Sequence, residues 1–304
     1  MTPSQTPIRT ATVLVNPAAR RVAQRFDSNG AMRFLARHGV DARLVIPEST
    51  AGAAEAAANL GHDAVFVVGG DGTLRQAAAG LAGSDTALAA IPAGTTNIWA
   101  KEAGIPPGIR TAFEAHLCGQ RVRMDLGRAN GEPFLLMASA GWDAEVVRTV
   151  DARLKSRIGQ GAYVIAAARL AVHLYSRQVR LRSGLVHWDV PLAMVVISNT
   201  RLYGGHARPS PGATANDGML DLCALCPVRR GDGTRLLGKL AVRRLRGDIR
   251  AITARVQDVT LETPGIPYQL DGDAAGLSPL EVHIEPGALM VSVSAGPLPP
   301  ILRG

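Results

Sequence analysis

Gly69-Gly70-Asp71-Gly72-Thr73 follows directly on the apolar run Ala64–Val68. Glycines between a strand and a helix let the main chain approach a ligand and adopt positive φ. A helix starting there aims unbonded N–H groups and a partial positive charge at the same spot, which suits a phosphate. Asp71 is at odds with a bare phosphate, because a carboxylate repels it unless a cation intervenes. A Mg²⁺–nucleotide resolves the conflict, since Mg²⁺ takes carboxylate, water and phosphate oxygens. A tight turn with an Asp/Thr cap would use the same residues. Neither G-x-x-x-x-G-K-[ST] nor G-x-G-x-x-G occurs here, so neither a P-loop nor a dinucleotide-type turn is indicated. A second turn, Pro92-Ala93-Gly94-Thr95-Thr96-Asn97, follows the next apolar run, Ala87–Ile91. Asp271-Gly272-Asp273 places two acids in a turn, where either could accept a hydroxyl proton. Alone, that pair also reads as a solvated β-turn, as does Asp217-Gly218.

The elements that must position these turns alternate in the first part of the chain. Ala11–Val15, Ala42–Ile46, Ala64–Val68 and Ala87–Ile91 are short apolar strands, the third uniformly apolar as in a sheet buried on both faces. Helical stretches lie between them, one running to about His38 and one Ala-rich with Thr50 as its cap. Strand–helix alternation implies right-handed crossovers, and adjacent parallel strands would set the two glycine turns side by side. Near Gly119 the texture changes to strand-like segments separated by turns, interrupted by a helical insert at about Lys155–Tyr175. The expected fold is an α/β doubly wound N-terminal domain followed by an antiparallel β-sandwich-like C-terminal domain. The expected boundaries are 1–123 and 124–288, with a tail at about 289–304.

With 304 residues, the chain suits two domains of ordinary size. It is 47% hydrophobic and 19% charged, the profile of a globular protein with a substantial core. Aromatic residues make up only 4%, which argues against base-stacking platforms and so against a nucleic-acid partner. A net charge of +8 favours an anionic partner such as nucleotide phosphate or an acidic membrane surface. Three cysteines make no disulfide framework, and Cys223 and Cys226 lie in a strand-like segment where residues three apart face opposite ways, so core packing is expected. The N-terminus has no apolar run of a signal peptide, and no stretch reaches the ~18–20 apolar residues of a membrane span. A cytoplasmic setting follows, with any membrane contact peripheral, at the inner surface.

In order, Asn16-Pro17, "GGDGT" (69–73), "PAGTTN" (92–97), "MDLG" (124–127), "SAGWDAEV" (139–146), "LKSRIGQGAYVIAA" (154–167), "SNTRLYGGHARPSPGATANDGMLDL" (198–222) and "YQLDGD" (268–273) resemble the diacylglycerol kinase and bacterial soluble lipid kinase family. "GGDGT" alone is shared with NAD kinases; the ordered set spans nearly the whole chain. The resemblance implies a two-domain kinase using ATP and Mg²⁺ to phosphorylate a diacylglycerol-like lipid at a membrane surface, with a homodimer compatible. It implies that Asn16, Thr50, Gly69, Gly70, Asp71, Gly72, Thr73, Gly94, Thr95 and Asn97 serve the nucleotide. It implies that Asp217, with main-chain carbonyls such as those of Thr214 and Met219, holds a structural Mg²⁺. Asp273 would be the general base, with Asp71 beside the triphosphate and its metal. In this family the tail returns to the first domain.

This chain departs from the family at four places. Arg75 and Gln76 stand where Asn and Glu are frequent, Ile98 where Asp is usual, and Asp273 where Glu is usual. These departures keep open a nucleotide-binding regulator with weak or no kinase activity; NAD kinase is the other alternative. Arg235–Arg250 reads as an amphipathic helix, with Arg235, Lys239, Arg243, Arg246 and Arg250 on one face and Leu236, Leu237, Leu240, Leu245 and Ile249 opposite. It could lie on an acidic membrane or pack as an ordinary surface helix.

Overall fold

The computed structural model describes residues 7–19, 22, 26–50, 52–58, 61–149, 176–229, 231–245 and 247–304. Its contacts divide the chain into two compact units: 1–126 with 215–217 and 286–304, and 127–214 with 218–285.

The first unit carries strands β1 (Thr10–Val15), β2 (Asp41–Val45), β3 (Ala64–Gly69) and β4 (Ala87–Pro92), all parallel in the order β2-β1-β3-β4. β3 and β4 are buried at every position, as expected of strands covered on both faces. Helices α1 (Ser28–Arg37), α2 (Gly52–Ala57), α3 (Asp71–Leu81), α4 (Ile98–Glu102) and α5 (Ile109–Leu117) connect or flank the strands. The order reverses between β1 and β3, the place where ligands bind at the carboxyl ends of such sheets.

β5 (Gln120–Ala129) leads into the second unit. There follow β6 (Glu132–Phe134), β7 (Met137–Gly141), α6 (Trp142–Thr149), β8 (Arg177–Ser183), β9 (Val186–Leu192), β10 (Met194–Ser198), β11 (Leu220–Leu225), α7 (Asp232–Ala241), β12 (Ala251–Val256), β13 (Asp258–Leu261), β14 (Pro267–Leu270), β15 (Asp273–Leu277) and β16 (Leu280–Val293). One antiparallel sheet runs β12-β11-β10-β7-β14-β15, while β16, β13, β8 and β9 pair antiparallel in another. The core of this unit draws Val179, Leu181, Val259 and Val282 from the second sheet and Ala138, Val195, Leu222 and Leu270 from the first. The chain is thus a mostly parallel α/β sheet followed by a β-sandwich-like domain. The helical insert expected at about Lys155–Tyr175 lies outside the described residues.

β16 ends in the first unit, where Val291 pairs in parallel with Leu88 of β4. The tail stays there: Ala215 N–H donates to the Ile301 carbonyl at 2.6 Å, and Asn216 holds Leu302 and Gly304 at 3.0 and 2.8 Å.

Cys223 and Cys226 are buried, and burial pushes their thiols up to about 12 and about 11. Such thiols stay protonated and inert, as core packing requires. The expected Arg235–Arg250 helix is corrected: α7 spans Asp232–Ala241. Arg243 takes a left-handed φ of 59° and Gly247 one of 78°, which turn the chain away. Leu236, Leu240 and Leu245 are buried, but Ile249 is 94% exposed, so it does not continue the apolar face. Arg235 and Lys239 both reach Asp248, at 3.3 and 2.6 Å, and Arg243 donates to the His206 carbonyl. Arg250 pairs with Asp232, and Arg246 lies outside the described residues. The basic face is largely tied to the protein itself. Among the described residues no helix is long and apolar enough to cross a membrane.

Candidate functional site

Asn16 follows β1, Gly69 ends β3 and Pro92 ends β4, so three adjacent strand ends carry the expected nucleotide residues. Asn16 is buried and links two of them: its Nδ2 donates to Thr73 Oγ1 at 2.8 Å and to Thr50 Oγ1 at 3.3 Å. Its Oδ1 accepts from Ala18 N–H at 2.9 Å, which sets the turn after β1. Asn16, Thr50 and Thr73 are therefore one cluster. Thr50 does not supply the side-chain cap of α2 expected of it; the Ser49 hydroxyl accepts from Gly52 N–H at 3.2 Å, leaving the Thr50 hydroxyl to Asn16.

The two glycine turns meet main chain to main chain. A Cβ at Gly70 would stand 3.3 Å from the Gly94 Cα, and Ala93 and Gly94 both donate to the Gly69 carbonyl, at 2.9 and 3.1 Å. A Cβ at Gly69 would run into Thr73 at 2.7 Å. Gly70 is the N-cap of the eleven-residue α3, and no side chain caps it. The start of α3 thus lies against Gly94, and a helix N-terminus without a side-chain cap is suited to phosphate oxygens.

Asp71 stands within this cradle, and its carboxylate is engaged by main chain. Oδ2 accepts from Ile98 N–H at 2.9 Å and Oδ1 from Trp99 N–H at 3.0 Å. Burial lifts the Asp71 pKa above the ordinary carboxylate value, while these two N–H groups and Lys101 pull it down. Asp71 thereby fixes the turn after β4. Asn97 fixes it from within: it has a left-handed φ of 49°, accepts from Gly94 N–H and donates to the Gly94 carbonyl, both at 2.9 Å. The Ile98 side chain is buried next to the fully buried Trp99, and its N–H donates to Asp71.

In the second unit, Asp271 has a left-handed φ of 52°, and its carboxylate accepts three successive N–H groups, from Leu135, Leu136 and Met137, at 2.8–2.9 Å. That bonding makes Asp271 a structural anchor and leaves Asp273, half-buried at the start of β15, as the turn's remaining acid. Of the expected metal ligands, Asp217 belongs to the first unit, Thr214 and Met219 to the second. Their oxygen-only donor set is of the kind a hard divalent cation takes. Among the described residues, His, Cys, Asp and Glu side chains form no cluster of three suited to a metal.

One buried polar group has no role that its local sequence suggests. Asp143, near the start of α6, accepts from the hydroxyls of Ser139 and Tyr203, and Gln269 of β14 joins them. A polar residue between the apolar Tyr268 and Leu270 was the available signal.

Residues 10–129 match the family model described as diacylglycerol kinase catalytic domain, and residues 137–293 match the YegS C-terminal NAD kinase beta sandwich-like domain. The "Probable lipid kinase YegS-like" of Pseudomonas syringae is 34% identical over 247 residues, covering 80% of this chain and 79% of that one. The "Diacylglycerol kinase" of Mycobacterium tuberculosis is 32% identical over 294 residues, covering 92% and 94%. A crystal structure of a diacylglycerol kinase from Bacillus anthracis matches with a TM-score of 0.72 at 18% identity, covering 95% and 98%, a likeness of fold.

Proposed function

The chain belongs to the diacylglycerol kinase catalytic-domain family of lipid kinases, with a YegS-type second domain, and from this premise we propose that it transfers the γ-phosphate of ATP to a hydroxyl of a diacylglycerol-like lipid. The observation that carries the reading is the meeting of the two glycine turns at the ends of β3 and β4, beside the uncapped start of α3. Glycine main chain at Gly70 and Gly94 lets the two turns approach each other, and backbone beside a helix start is suited to phosphate oxygens.

Phosphoryl transfer asks the protein mainly for positioning and for neutralisation of charge. Gly69, Gly70, Gly72 and Gly94 present main chain to the phosphates. Thr73, Thr50 and Asn16 hold the adjoining turn, and Thr95 offers an exposed hydroxyl. Asp71 is a positioning residue that holds the Pro92–Asn97 turn through Ile98 and Trp99. Asp273 is the general base. It accepts the proton of the lipid hydroxyl as the oxygen bonds to the γ-phosphorus and the β–γ bridging oxygen leaves with ADP. Asp217 with the Thr214 and Met219 main-chain oxygens would hold Mg²⁺, which supplies positive charge against acid and phosphate oxygens. The excess of positive charge supports a cytoplasmic protein that meets its lipid at the acidic inner membrane surface.

The test is incubation of the protein with γ-labelled ATP, Mg²⁺ and vesicles of diacylglycerol, phosphatidylglycerol and sphingoid base. Labelled lipid that disappears with Asp273→Asn is the expected result. ATP binding without labelled lipid means a nucleotide-binding regulator, and labelled NAD in a parallel reaction means an NAD kinase.

A further inference from the structure

The second unit buries a polar chain that the phosphate cradle does not use. Asp143 is 2% exposed, and its Oδ2 accepts the hydroxyl of Ser139 and, at 3.1 Å, that of Tyr203. Its Oδ1 is buried without a hydrogen-bond partner among the described residues, so this anchor runs through Oδ2. Gln269, 3% exposed, donates through Nε2 to Ser139 Oγ and lies 3.4 Å from the same Asp143 oxygen.

The protons can be assigned one after another. The Gly272 N–H can only donate, so the Gln269 atom 2.6 Å from it is the amide oxygen, Oε1. The other end is the amide nitrogen, which donates to the Ser139 oxygen, and the Ser139 hydroxyl donates to Asp143 Oδ2. The chain that starts at Tyr203 therefore ends on the main chain of the Asp271-Gly272-Asp273 turn. This turn has need of fixing: Asp271 and Gly272 both have positive φ, 52° and 91°. The three N–H bonds to Asp271 hold its first corner, and Gln269 holds the peptide unit one residue before Asp273.

A Gln and an Asp in this interior cost desolvation that apolar residues of the same volume would avoid. Their neighbours Ala138, Ala140, Tyr268 and Leu270 pack the core without them. What the polar residues provide that apolar ones could not is a directed bond to Gly272.

The geometry points to Asp143, Ser139, Tyr203 and Gln269 as a positioning relay that orients Asp273 through the Gly272 peptide. The inference rests on the reading of Asp273 as the base. None of the four relay residues needs to touch the substrate. Their effect is on the direction of one carboxylate, and a misplacement of about 1 Å can cost about 100-fold in rate.

The experiment compares Gln269→Leu, Tyr203→Phe and Asp273→Asn with the native chain. It uses γ-labelled ATP, Mg²⁺ and vesicles of diacylglycerol in phosphatidylglycerol, with a fluorescent ATP analogue for nucleotide affinity. Hydrogen exchange of the 268–277 segment gives a readout independent of turnover. Gln269→Leu is expected to lower kcat about 10- to 100-fold. KM for ATP should change less than about twofold, since the relay leaves the cradle alone. The 271–273 amides should exchange faster, and Tyr203→Phe should show the same pattern more weakly. Native kcat in Gln269→Leu alongside an inactive Asp273→Asn overturns the relay and leaves the base reading standing. Native kcat in Asp273→Asn, or no labelled lipid with the native chain, removes the base reading and the relay with it. A Gln269→Leu protein that loses ATP affinity as steeply as kcat is generally damaged, which also overturns the relay. Should Gln269→Leu not fold, Gln269→Glu carries the test. Protonated, it repeats the donor and acceptor of the amide, so its kcat relative to native should fall as pH rises and the new acid ionises; a flat ratio overturns the inference.

Discussion

A Cβ on Gly94 would stand 2.6 Å from the Cα of Gly70 and 2.9 Å from Asn97 Oδ1. The turns after β3 and β4 are thus packed as closely as two main chains allow, and the side-chain clamp of Asn97 holds one of them there. Gly94→Ala must push the turns apart or break that clamp. The expected outcome is a fall in ATP affinity of at least about tenfold with a lowered Tm, since overpacking typically costs about 1–3 kcal/mol. Gly212→Ala is the control: it meets nothing within 4 Å and should change neither quantity. Nucleotide titration and thermal unfolding of both variants check this.

On the proposed roles, Asp71 serves binding and Asp273 serves chemistry. Asp71→Asn places an amide nitrogen against one of the two N–H groups that the carboxylate now accepts, leaving a donor unmet, at about 1–3 kcal/mol. ATP affinity and Tm should both drop. Asp273→Asn should leave ATP affinity unchanged and lower kcat by about 100-fold or more, the usual contribution of a positioned base. Equal loss of ATP affinity in the two variants would contradict this division of labour.

The glycine turns and the strands that carry them are legible in the sequence because the relevant signals are local: uniformly apolar runs ending in Gly-Gly or Pro-Ala-Gly. The partners are not local. Asp71 finds Ile98 and Trp99 27 and 28 residues on, main-chain partners that its glycine turn alone does not reveal. Asp271 accepts from residues 134–136 positions away, which is why the two acids of "DGD" look equivalent in the sequence and differ in the structure. Ser49 and Thr50 are both acceptable caps by residue type, and only the position of Asn16 decides between them. Residues 242–250 keep helical periodicity in the sequence, yet Asp248, with Lys239 and Arg235 to meet, belongs to a turn that folds back on α7.

That fold-back yields a membrane prediction. Asp248 holds Lys239 at 2.6 Å and Arg235 at 3.3 Å, so these two cations are engaged rather than offered to acidic lipid. Lys239 and its neighbours hold the Asp248 carboxyl below the usual range, and it stays charged at neutral pH. Asp248→Ala releases both cations. Near an acidic surface each is worth about 1 kcal/mol, so binding to phosphatidylglycerol vesicles at low salt should rise about 5- to 30-fold. Vesicle sedimentation with Arg235→Ala as the reverse case measures it. Equal binding by all three proteins would show that α7 is not a lipid contact.

His116 makes stability depend on pH with a definite sign. Its ring is buried between β4 and β16: one nitrogen lies 2.9 Å from the Ala90 carbonyl and the other 2.9 Å from Ser292 Oγ. A carbonyl can only accept, so Nε2 carries the proton and Nδ1 accepts from the Ser292 hydroxyl. Burial lowers the pKa from 6.5 to about 4, although the bond to Ala90 works against it. The native chain therefore binds fewer protons than the unfolded chain between these values. The contribution is fully present above pH ~6.5 and is lost as pH falls toward ~4, amounting to about 3 kcal/mol. Asp71 and Asp143 act in the opposite sense, because burial raises both and their ionisation costs stability as pH rises. Both acids remain in His116→Gln, so comparison with the native chain cancels them. Urea unfolding at pH 7 and pH 4.5 should show the native chain losing about 2–3 kcal/mol more than the variant. Parallel losses in the two proteins would show that His116 is not the group that titrates.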